Sequence, residues 1–240
     1  MEFTTAVVTG AASGIGRALA ARLGSAGTRL VLADIQAAAL AVAASELGAI
    51  AVPADVSDPR AMDALAAVAP DAQLVCLNAG IVGSELGAPW EVGAREWDAV
   101  FAVNVAGVVN GLRAFVPRLL ASDRPAHILI TASLAGLVTF PGGGAYGASK
   151  HAVVAIAEQA AFALADTAVG VTVLCPALVR SAMSAVGEDP AAVADEALAA
   201  VRQGRFAVVP AGWHDAVVQG ARRLVSGQPP TPPAVPASPP

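Results

Sequence analysis

The stretch Thr4–Gly27, TTAVVTGAASGIGRALAARLGSAG, contains a predicted strand, a glycine-rich turn and a predicted helix in direct succession. Its apolar start is typical of a buried strand, and the part from Gly14 onward predicts a helix that ends at Gly27. Glycines in the turn permit close approach of the backbone to a pyrophosphate, and the helix N-terminus supplies free N–H groups. We therefore expect the turn to bind a dinucleotide through Gly10, Ser13, Gly14 and Gly16, although a tight turn without a ligand would look similar in sequence.

The rest of the chain continues this alternation of strands and helices. Further strands are predicted at 29–34, 49–55, 72–78, 126–133, 170–176 and 205–210, with helices at 37–48, 59–69, 96–120, 145–165 and 190–204. The strands are continuous apolar runs, which indicates a parallel sheet covered on both faces. The predicted fold class is α/β: a doubly wound parallel sheet of about seven strands with helices on both faces, Rossmann-like, in one domain over residues 1–227.

The C-terminal stretch 228–240 has a different composition. Seven of its last 12 residues are proline, a residue that cannot join the interior of a sheet or helix. We expect a Pro-rich disordered tail. A Pro-rich docking motif is the alternative, but no basic residue flanks it to orient a partner.

Charge and composition exclude several classes of protein. The net charge is -5 and no basic run occurs, which argues against nucleic-acid binding. The start of the chain does not resemble a signal peptide, and no apolar run reaches the ~20 residues of a membrane helix. Cys76 and Cys175 lie in apolar segments, as buried reduced thiols do, so we expect a cytoplasmic protein. The three histidines do not have ligand-like spacing, and no metal site is expected.

Asp34 ends the second predicted strand, about 20 residues after the glycines, where a carboxylate can accept hydrogen bonds from an adenosine ribose. The same carboxylate would repel a 2′-phosphate, and neither Ile35 nor Gln36 is basic. Ser13 leaves the turn uncharged. The pattern predicts NAD rather than NADP as cofactor. Asp34 could also cap the next helix, and the two roles are compatible.

Other small or polar residues follow the remaining strands. Asp55, Asn78 and Ser133 end the third, fourth and fifth strands, and Pro176 follows the sixth. In doubly wound sheets, ligands bind outside the carboxyl ends of the strands, so these residues should meet at one edge. Each of them also has an ordinary role as a turn former or cap.

Tyr146 and Lys150, in AYGASK, are the only tyrosine and the only lysine of the chain. At the start of a helix, residues four apart share a face. A free phenol has a pKa of about 10, too high for an effective base near neutrality, and a nearby ammonium lowers it. Ser133, at a strand end, can hydrogen-bond the substrate oxygen. The alternative is an exposed contact at a helix start.

These motifs together resemble the short-chain dehydrogenase/reductase family in its compact single-domain form. The residues concerned are TGAASGIG, NAG at 78–80, Asn104 in FAVNVAG, Ser133 and YGASK, and the resemblance runs from about Thr4 to Pro210. One departure is Ala177, where the family usually has glycine after the proline.

The resemblance implies roles for particular residues. Tyr146 would be the catalytic acid/base, and Ser133 would orient the substrate oxygen. Lys150 would lower the tyrosine pKa and hold the nicotinamide ribose. Asn104 would be the fourth catalytic member, with a helix distortion that holds a water in a proton relay. Implied cofactor contacts are Gly10, Ser13, Gly14, Ile15, Gly16, Asp34, Asp55, Val56, Asn78, Gly80, Tyr146, Lys150, Pro176, Val179 and Ser181.

The expected activity is NAD-dependent interconversion of a neutral, mainly apolar secondary alcohol and its ketone. The expected pocket has an apolar lining, a short lid over 183–189 and a roomy entrance beside Gly142–Gly144, with Arg180 facing away. Its lining residues would be Ile81, Val82, Leu134, Leu137, Val138, Phe140, Met183 and Val186. Two alternatives remain: an NADPH-dependent reductase of carrier-bound 3-oxoacyl thioesters, and a non-catalytic dinucleotide-binding protein. The resemblance also implies a homodimer or homotetramer.

Overall fold

Seven parallel strands form one sheet in the computed structural model, which describes residues 3–181 and 184–235. In chain order they are β1 (Thr5–Thr9), β2 (Arg29–Asp34), β3 (Ile50–Pro53), β4 (Leu74–Leu77), β5 (Ala126–Thr131), β6 (Val169–Leu174) and β7 (Ala207–Val208). They lie side by side in the order β3-β2-β1-β4-β5-β6-β7. The strand order therefore reverses between β1 and β4, and this is the crevice where ligands of such sheets bind.

Helices connect the strands and cover both faces of the sheet. They are α1 (Gly14–Ser25), α2 (Ala37–Leu47), α3 (Pro59–Val68), α4 (Ala94–Phe101), α5 (Gly107–Ala121), α6 (Gly144–Leu164), α7 (Pro190–Arg202) and α8 (His214–Val225). A π-helical segment, Ala102–Ala106, joins α4 to α5 without a break, and 3-10 turns occupy Leu134–Gly136 and Ala211–Trp213.

Two apolar clusters, one on each face of the sheet, form the core. On β4, Val75 and Leu77 belong to the cluster under α3, α5 and α6, whereas Leu74 and Cys76 belong to the cluster under α1 and α7. Both faces of the central strands are thus buried. This explains why the strands are continuous apolar runs in the sequence, and it confirms the predicted fold class.

The C-terminal region differs from the simple alternation that the sequence predicts. The expected strand 205–210 contributes only two residues to the sheet, at its edge. After it comes α8, a helix that the sequence pattern did not predict, with Leu224 and Val225 strongly exposed. In the described part of the tail, 228–235, the Thr231 carbonyl accepts a hydrogen bond from Arg223 of α8.

The continuous helix Ala94–Ala121 corrects one expectation. By its 28 residues and a mean hydropathy of 1.6, it is long and apolar enough to cross a membrane. Core helices of soluble proteins pass the same test, and 44% of its apolar window is buried inside the protein. Phe115 and Leu119 on this helix lie in the core, and its two ends pack against α3 and α6. We therefore assign it to the core of the domain.

Candidate active site

The glycine-rich turn lies at the carboxyl end of β1, where it faces the end of β4. Gly10 has a φ of +65°, and a Cβ there would lie 2.9 Å from the Cα of Ala79. A Cβ on Gly16 would collide with the carbonyl oxygen of Gly10. These two glycines are therefore required for the turn to close on the neighbouring strand. Ile15, between Gly14 and Gly16, packs on the core cluster below α1.

The N-terminus of α1 is open toward the crevice. Ser13 takes the N-cap position in extended conformation, and among the described residues its side chain makes no capping hydrogen bond to the helix. Gly14 has a φ of +53°, and a Cβ there would lie 3.0 Å from the Cβ of Ser181. Free N–H groups, a narrow glycine-lined approach and the helix dipole suit a pyrophosphate. This turn therefore fits the dinucleotide that the sequence predicts.

Asp34 lies at the end of β2, beside the same turn. One carboxylate oxygen accepts a hydrogen bond from the backbone N–H of Ala12 (3.0 Å), and the other accepts one from Gln36 N–H (2.9 Å). The side chain is therefore held in place from two sides. A carboxylate oxygen can accept more than one hydrogen bond, so both oxygens can still accept from ribose hydroxyls.

Asp55 and Val56 follow β3, whose end adjoins Asp34 through the Ala54 N–H···O bond of 3.1 Å. Asp55 is exposed, and one of its oxygens accepts from both the backbone and the hydroxyl of Ser57. Val56 is buried. The structure thus brings these two residues to the same edge as Asp34.

The side-chain amide of Asn78 hydrogen-bonds the ends of two neighbouring strands. Its Nδ2 donates to the Thr9 carbonyl at 3.1 Å, and its Oδ1 accepts from the Thr131 hydroxyl at 3.0 Å. The side chain thereby ties together the ends of β1, β4 and β5. Asn78 lies at the predicted place, but its amide is engaged with protein groups. Gly80, two residues on, leaves space that a Cβ would fill, 3.3 Å from Lys150 Nζ.

Ser133 and Tyr146 meet at the end of β5. Ser133 is buried, its Oγ accepts from the Ala135 N–H at 3.1 Å, and it hydrogen-bonds the Tyr146 phenol. Burial raises the pKa of Tyr146 above its usual value, and the hydrogen bond with Ser133 offsets part of that rise. Burial therefore determines the direction of the shift in this structure, and the lowering expected from Lys150 is not among its causes.

Lys150 is buried directly beside the tyrosine. Its Nζ lies 5.7 Å from the centroid of the Tyr146 ring and donates to the Thr131 carbonyl at 3.2 Å. Burial lowers the pKa of the ammonium to about 8. At pH 7 the protonated form still predominates, so a positive charge stands next to the phenol.

Asn104 lies within the π-helical segment, as the expected helix distortion requires. Its Oδ1 accepts from Ile81 N–H (2.8 Å), and its Nδ2 donates to the Ile81 carbonyl (2.9 Å) and to Ser149 Oγ (3.0 Å). Ser149 in turn donates to the Tyr146 carbonyl at 2.7 Å. Ser149 was missed from the sequence, where a serine three residues after the tyrosine gives no signal that it bridges two helices.

The loop after β4, residues 81–93, closes over the start of α6. Gly87 N–H donates to the Gly142 carbonyl at 3.0 Å, and Val92 packs close to Gly144. The three glycines therefore allow two loops to meet at the start of α6. The roomy entrance expected beside them stays a prediction. Residues Glu85, Glu91 and Glu96 accept backbone hydrogen bonds that hold the 81–93 loop.

The lid after β6 is a short loop whose two ends are joined by backbone hydrogen bonds. Arg180 N–H donates to the Glu188 carbonyl at 3.0 Å, and Glu188 N–H donates to the Leu178 carbonyl at 2.8 Å. Pro176 and Val179 are buried, and Ser181 lies over Gly14. The Arg180 guanidinium is exposed and lies 3.8 Å from the Asp189 carboxylate.

The predicted pocket lining is reproduced in part. Leu134 and Val138 are buried, whereas Ile81 and Val186 are exposed, and Met183 lies outside the described residues. Val82, Leu137 and Phe140 are half-buried. Phe140 contacts Trp213 edge to face, with ring centroids 5.6 Å apart. This contact, which the sequence did not indicate, brings the segment after β7 to the loop that leads to Tyr146.

Known proteins share both this sequence and this fold. The short chain dehydrogenase family profile matches residues 4–190. A 1-deoxy-11-beta-hydroxypentalenate dehydrogenase of Streptomyces avermitilis is 48% identical over 194 residues, which cover 77% of this chain and 72% of that one. A 2-(R)-hydroxypropyl-CoM dehydrogenase of Xanthobacter autotrophicus is 34% identical over 209 residues, covering 82% and 83%.

The solved structures agree with the sequence relatives. A short chain dehydrogenase/reductase from Burkholderia phymatum, in complex with NAD, superposes with a TM-score of 0.90 at 34% identity and covers 98% of this chain and 99% of that one. This chain belongs to the short-chain dehydrogenase/reductase family of oxidoreductases.

Proposed function

We propose that this protein is an NAD-dependent dehydrogenase that interconverts a neutral, mainly apolar secondary alcohol and its ketone, with Tyr146 as the acid/base. The observation that carries the proposal is the arrangement at the end of β5, where the phenol hydrogen-bonds Ser133 and the buried Lys150 ammonium lies 5.7 Å from its ring. A nicotinamide cofactor supplies hydride transfer, which no side chain can provide.

The residues of this chain would control the proton and the position of the substrate. The Ser133 hydroxyl, whose oxygen already accepts from Ala135 N–H, can donate to the substrate oxygen. The phenol of Tyr146 would exchange a proton with the same oxygen. Lys150 would stabilise the phenolate, and the positive charge of an oxidised nicotinamide would act in the same direction against the effect of burial. Asn104, fixed to Ile81, would keep the π-helical segment in place for a proton relay.

Asp34 supports NAD over NADP. Its carboxylate is held beside the glycine-rich turn by Ala12 and Gln36, so it cannot swing away to admit a 2′-phosphate without losing two hydrogen bonds. Its neighbour Ile35 is exposed and apolar. Arg17, on the first turn of α1, is paired with Glu46 on α2. That pairing reduces its availability to a phosphate.

A neutral substrate is supported by the charged and apolar side chains on the two loops beside the expected pocket, the 81–93 loop and the lid after β6. Glu85 and Glu91 on the 81–93 loop are exposed, and Arg180 on the lid is paired with Asp189. This acidic surrounding disfavours a carboxylate. Leu86, Trp90, Leu178 and Val186 are exposed apolar side chains on the same loops. The pentalenate relative is named for an anionic substrate, so charge is the property to test first.

The experiment is a comparison of kcat/KM across two cofactors and a matched set of alcohols. We expect NAD to exceed NADP clearly with every active substrate, and Asp34→Ala to reduce that preference. Neutral secondary alcohols should exceed carboxylated ones of the same size, with Arg180→Ala leaving the order unchanged.

Three outcomes would overturn parts of the proposal. Equal use of NADP would contradict the role of Asp34. A carboxylate advantage that Arg180→Ala abolishes would contradict the neutral pocket. Tight NAD binding without turnover of any alcohol or ketone would favour the non-catalytic alternative.

Location and assembly belong to the same proposal. The buried free thiols Cys76 and Cys175 are compatible with a cytoplasmic protein. Burial raises the pKa of both thiols to about 12, which keeps them unreactive. A homodimer or homotetramer is supported by family membership, and light scattering of the purified protein tests it.

A further inference from the structure

Asn110, near the start of α5, makes contacts that the proposed reaction does not use. The residue is 5% exposed. Its Nδ2 donates to the Val56 carbonyl at 3.0 Å and to the Ser57 carbonyl at 3.2 Å. One buried side chain thus fixes two consecutive carbonyl groups of the loop after β3.

Gly107, one turn earlier on the same face of α5, complements this contact. A Cβ on Gly107 would lie 2.7 Å from Val56 Cγ2. The Val56 side chain therefore rests against the bare backbone of the helix while Asn110 holds its carbonyl. The loop is located through both its side chain and its backbone, which leaves it little freedom to shift.

The loop that Asn110 holds stands at the adenosine side of the crevice. It follows β3 at the carboxyl edge, and β3 joins β2 through the bond from Ala54 N–H to the Asp34 carbonyl. Asp34 is the residue placed to bind the adenosine ribose. Ser57, whose carbonyl Asn110 fixes, also donates to Asp55 through its own N–H and hydroxyl. The orientation of the Asp55 carboxylate therefore depends on the position of Ser57.

We propose that Asn110 is a positioning residue for the adenosine half of the dinucleotide, acting through the Val56 and Ser57 carbonyls on Asp55 and Val56. The same long helix then aligns both ends of the cofactor. Asn104 donates to Ser149, which donates to the Tyr146 carbonyl, and Asn110 fixes the loop beside Asp34. The inference rests on the proposed dinucleotide and is independent of the alcohol substrate.

The test measures ligand binding without turnover. Calorimetry gives the Kd of ADP-ribose and of NAD, and NMR titration gives the Kd of nicotinamide mononucleotide, for the parent and Asn110→Leu. We expect Asn110→Leu to weaken ADP-ribose and NAD roughly tenfold, since two hydrogen bonds that fix the loop are lost. The affinity for nicotinamide mononucleotide and kcat at saturating NAD should stay within about twofold.

Thr28→Val is the matched control. Thr28 is buried, and its hydroxyl donates to the Phe3 carbonyl at 3.0 Å. It directly precedes β2, so it lies at the amino ends of the strands, away from the crevice at their carboxyl ends. The control should lower the melting temperature without changing any Kd. Asn110→Ser, which retains a donor on a shorter side chain, is a milder variant for use if Asn110→Leu does not fold. We expect its Kd for ADP-ribose to exceed the values of the parent and the control.

The inference is wrong if the Asn110 variants only lose stability, as the control does, and bind ADP-ribose within twofold of the parent. It is also wrong if nicotinamide mononucleotide weakens as much as ADP-ribose, because the effect would then not be confined to the adenosine half. A parent protein that binds neither ADP-ribose nor NAD would instead refute the proposed cofactor.

Discussion

Lys150 illustrates how single residues are tuned in this site. Its ammonium is buried, and the Thr131 carbonyl accepts one of its hydrogen bonds. Burial alone would favour the neutral amine, and it lowers the pKa of Lys150 to about 8. The protonated form therefore still predominates at neutral pH, and its charge lies 5.7 Å from the centroid of the Tyr146 ring, where it can act on a phenolate.

Tyr146→Phe should abolish most turnover. The loss of a general acid/base typically costs ~10²–10⁴-fold in rate, and we expect kcat to fall within that range. The Kd of NAD should change little, because the phenylalanine keeps the ring and the fold. Steady-state kinetics and calorimetry on the same preparation provide both values. Activity within a few-fold of the parent would show that another group handles the proton.

The sequence indicated the residues of the proposed site that react, and missed those that support them. Tyr146 and Lys150 could be recognised because each type occurs once, at helical spacing. Ser149 and Asn110 are common residue types whose importance comes only from distant partners, Asn104 in one case and Val56 in the other. Spacing along one helix carries no information about which loop will lie against it.

At the scale of elements, the contact between two loops explains why glycines precede the tyrosine. Gly142–Gly144 lies under the 81–93 loop, and the two are joined by the hydrogen bond from Gly87 to Gly142. The sequence suggested an open entrance because glycines lack side chains. In the structure Val92 and the Gly87 backbone fill the space beside Gly144, whereas the space beside Gly142 is open among the described residues.

Gly144→Ala should disturb the site more than the fold. The residue has a φ of +46°, and a Cβ would meet Val92 Cγ2 at 3.0 Å. The left-handed conformation alone costs an alanine roughly 1–2 kcal/mol. Displacement of Val92 should additionally raise the KM for the alcohol, because the 81–93 loop moves away from α6.

Gly142→Ala separates these two effects. Gly142 also has a positive φ, +74°, but no described atom outside its own chain neighbours lies within 4 Å of a Cβ there. It should lose a similar amount of stability and keep a KM close to that of the parent. Thermal unfolding and kinetics on both variants decide, and equal KM values for the two would contradict a role for the loop contact.

Secondary structure was predictable where an element is buried and less so at the C-terminal end. The six strands before β7 and helices α1 to α7 carry apolar patterns, and the sequence located them within a few residues, with α4 and α5 predicted as one helix over 96–120. α8 was missed because its apolar residues do not reach the core: Leu224 and Val225 remain exposed. Its pattern therefore does not stand out from the polar surface around it.

At the scale of the whole molecule, a buried histidine on β5 links β6 and the segment just before β7. His127 Nε2 lies 2.8 Å from the Thr172 hydroxyl, which donates to the Arg205 carbonyl at 2.7 Å. Since the hydroxyl gives its one proton to Arg205, His127 must donate from Nε2, and burial keeps the ring neutral. Gly170, opposite it on β6, leaves room for the ring.

Acid should therefore weaken the fold between pH 6.5 and 4. Burial lowers the pKa of His127 from 6.5 to about 4, so the unfolded chain takes up a proton in this window before the folded protein does. The stability from this residue is complete above pH 6.5 and falls by about 3 kcal/mol at most by pH 4. His127→Gln, which keeps a donor, should flatten the decline. Urea unfolding from pH 4 to 7 measures it, and identical slopes in both proteins would contradict the prediction.

Removal of residues 228–240 should change neither melting temperature nor turnover. The described part of this tail is largely exposed, and its contacts with α8 include hydrogen bonds from Arg223 to the Thr231 carbonyl and from Gln228 N–H to the Arg223 carbonyl. Such a segment adds little buried apolar area. A substantial loss of either property would indicate that the tail docks on the domain or on a neighbouring subunit.

The position of β1 in the sheet determines when the protein can first bind its cofactor during synthesis. In the sequence β2 follows β1 closely and can pair with it early, but the other neighbour of β1 is β4, where Ala6 lies beside Leu74. A nascent chain that ends after β3 contains the glycine-rich turn and Asp34 but lacks Asn78, whose amide fixes Thr9. Parallel pairing of distant segments is slow to form, because the intervening chain must be ordered first. Dinucleotide binding should therefore return only in the slowest phase of refolding, and the ligand would report on completed topology rather than on early compaction.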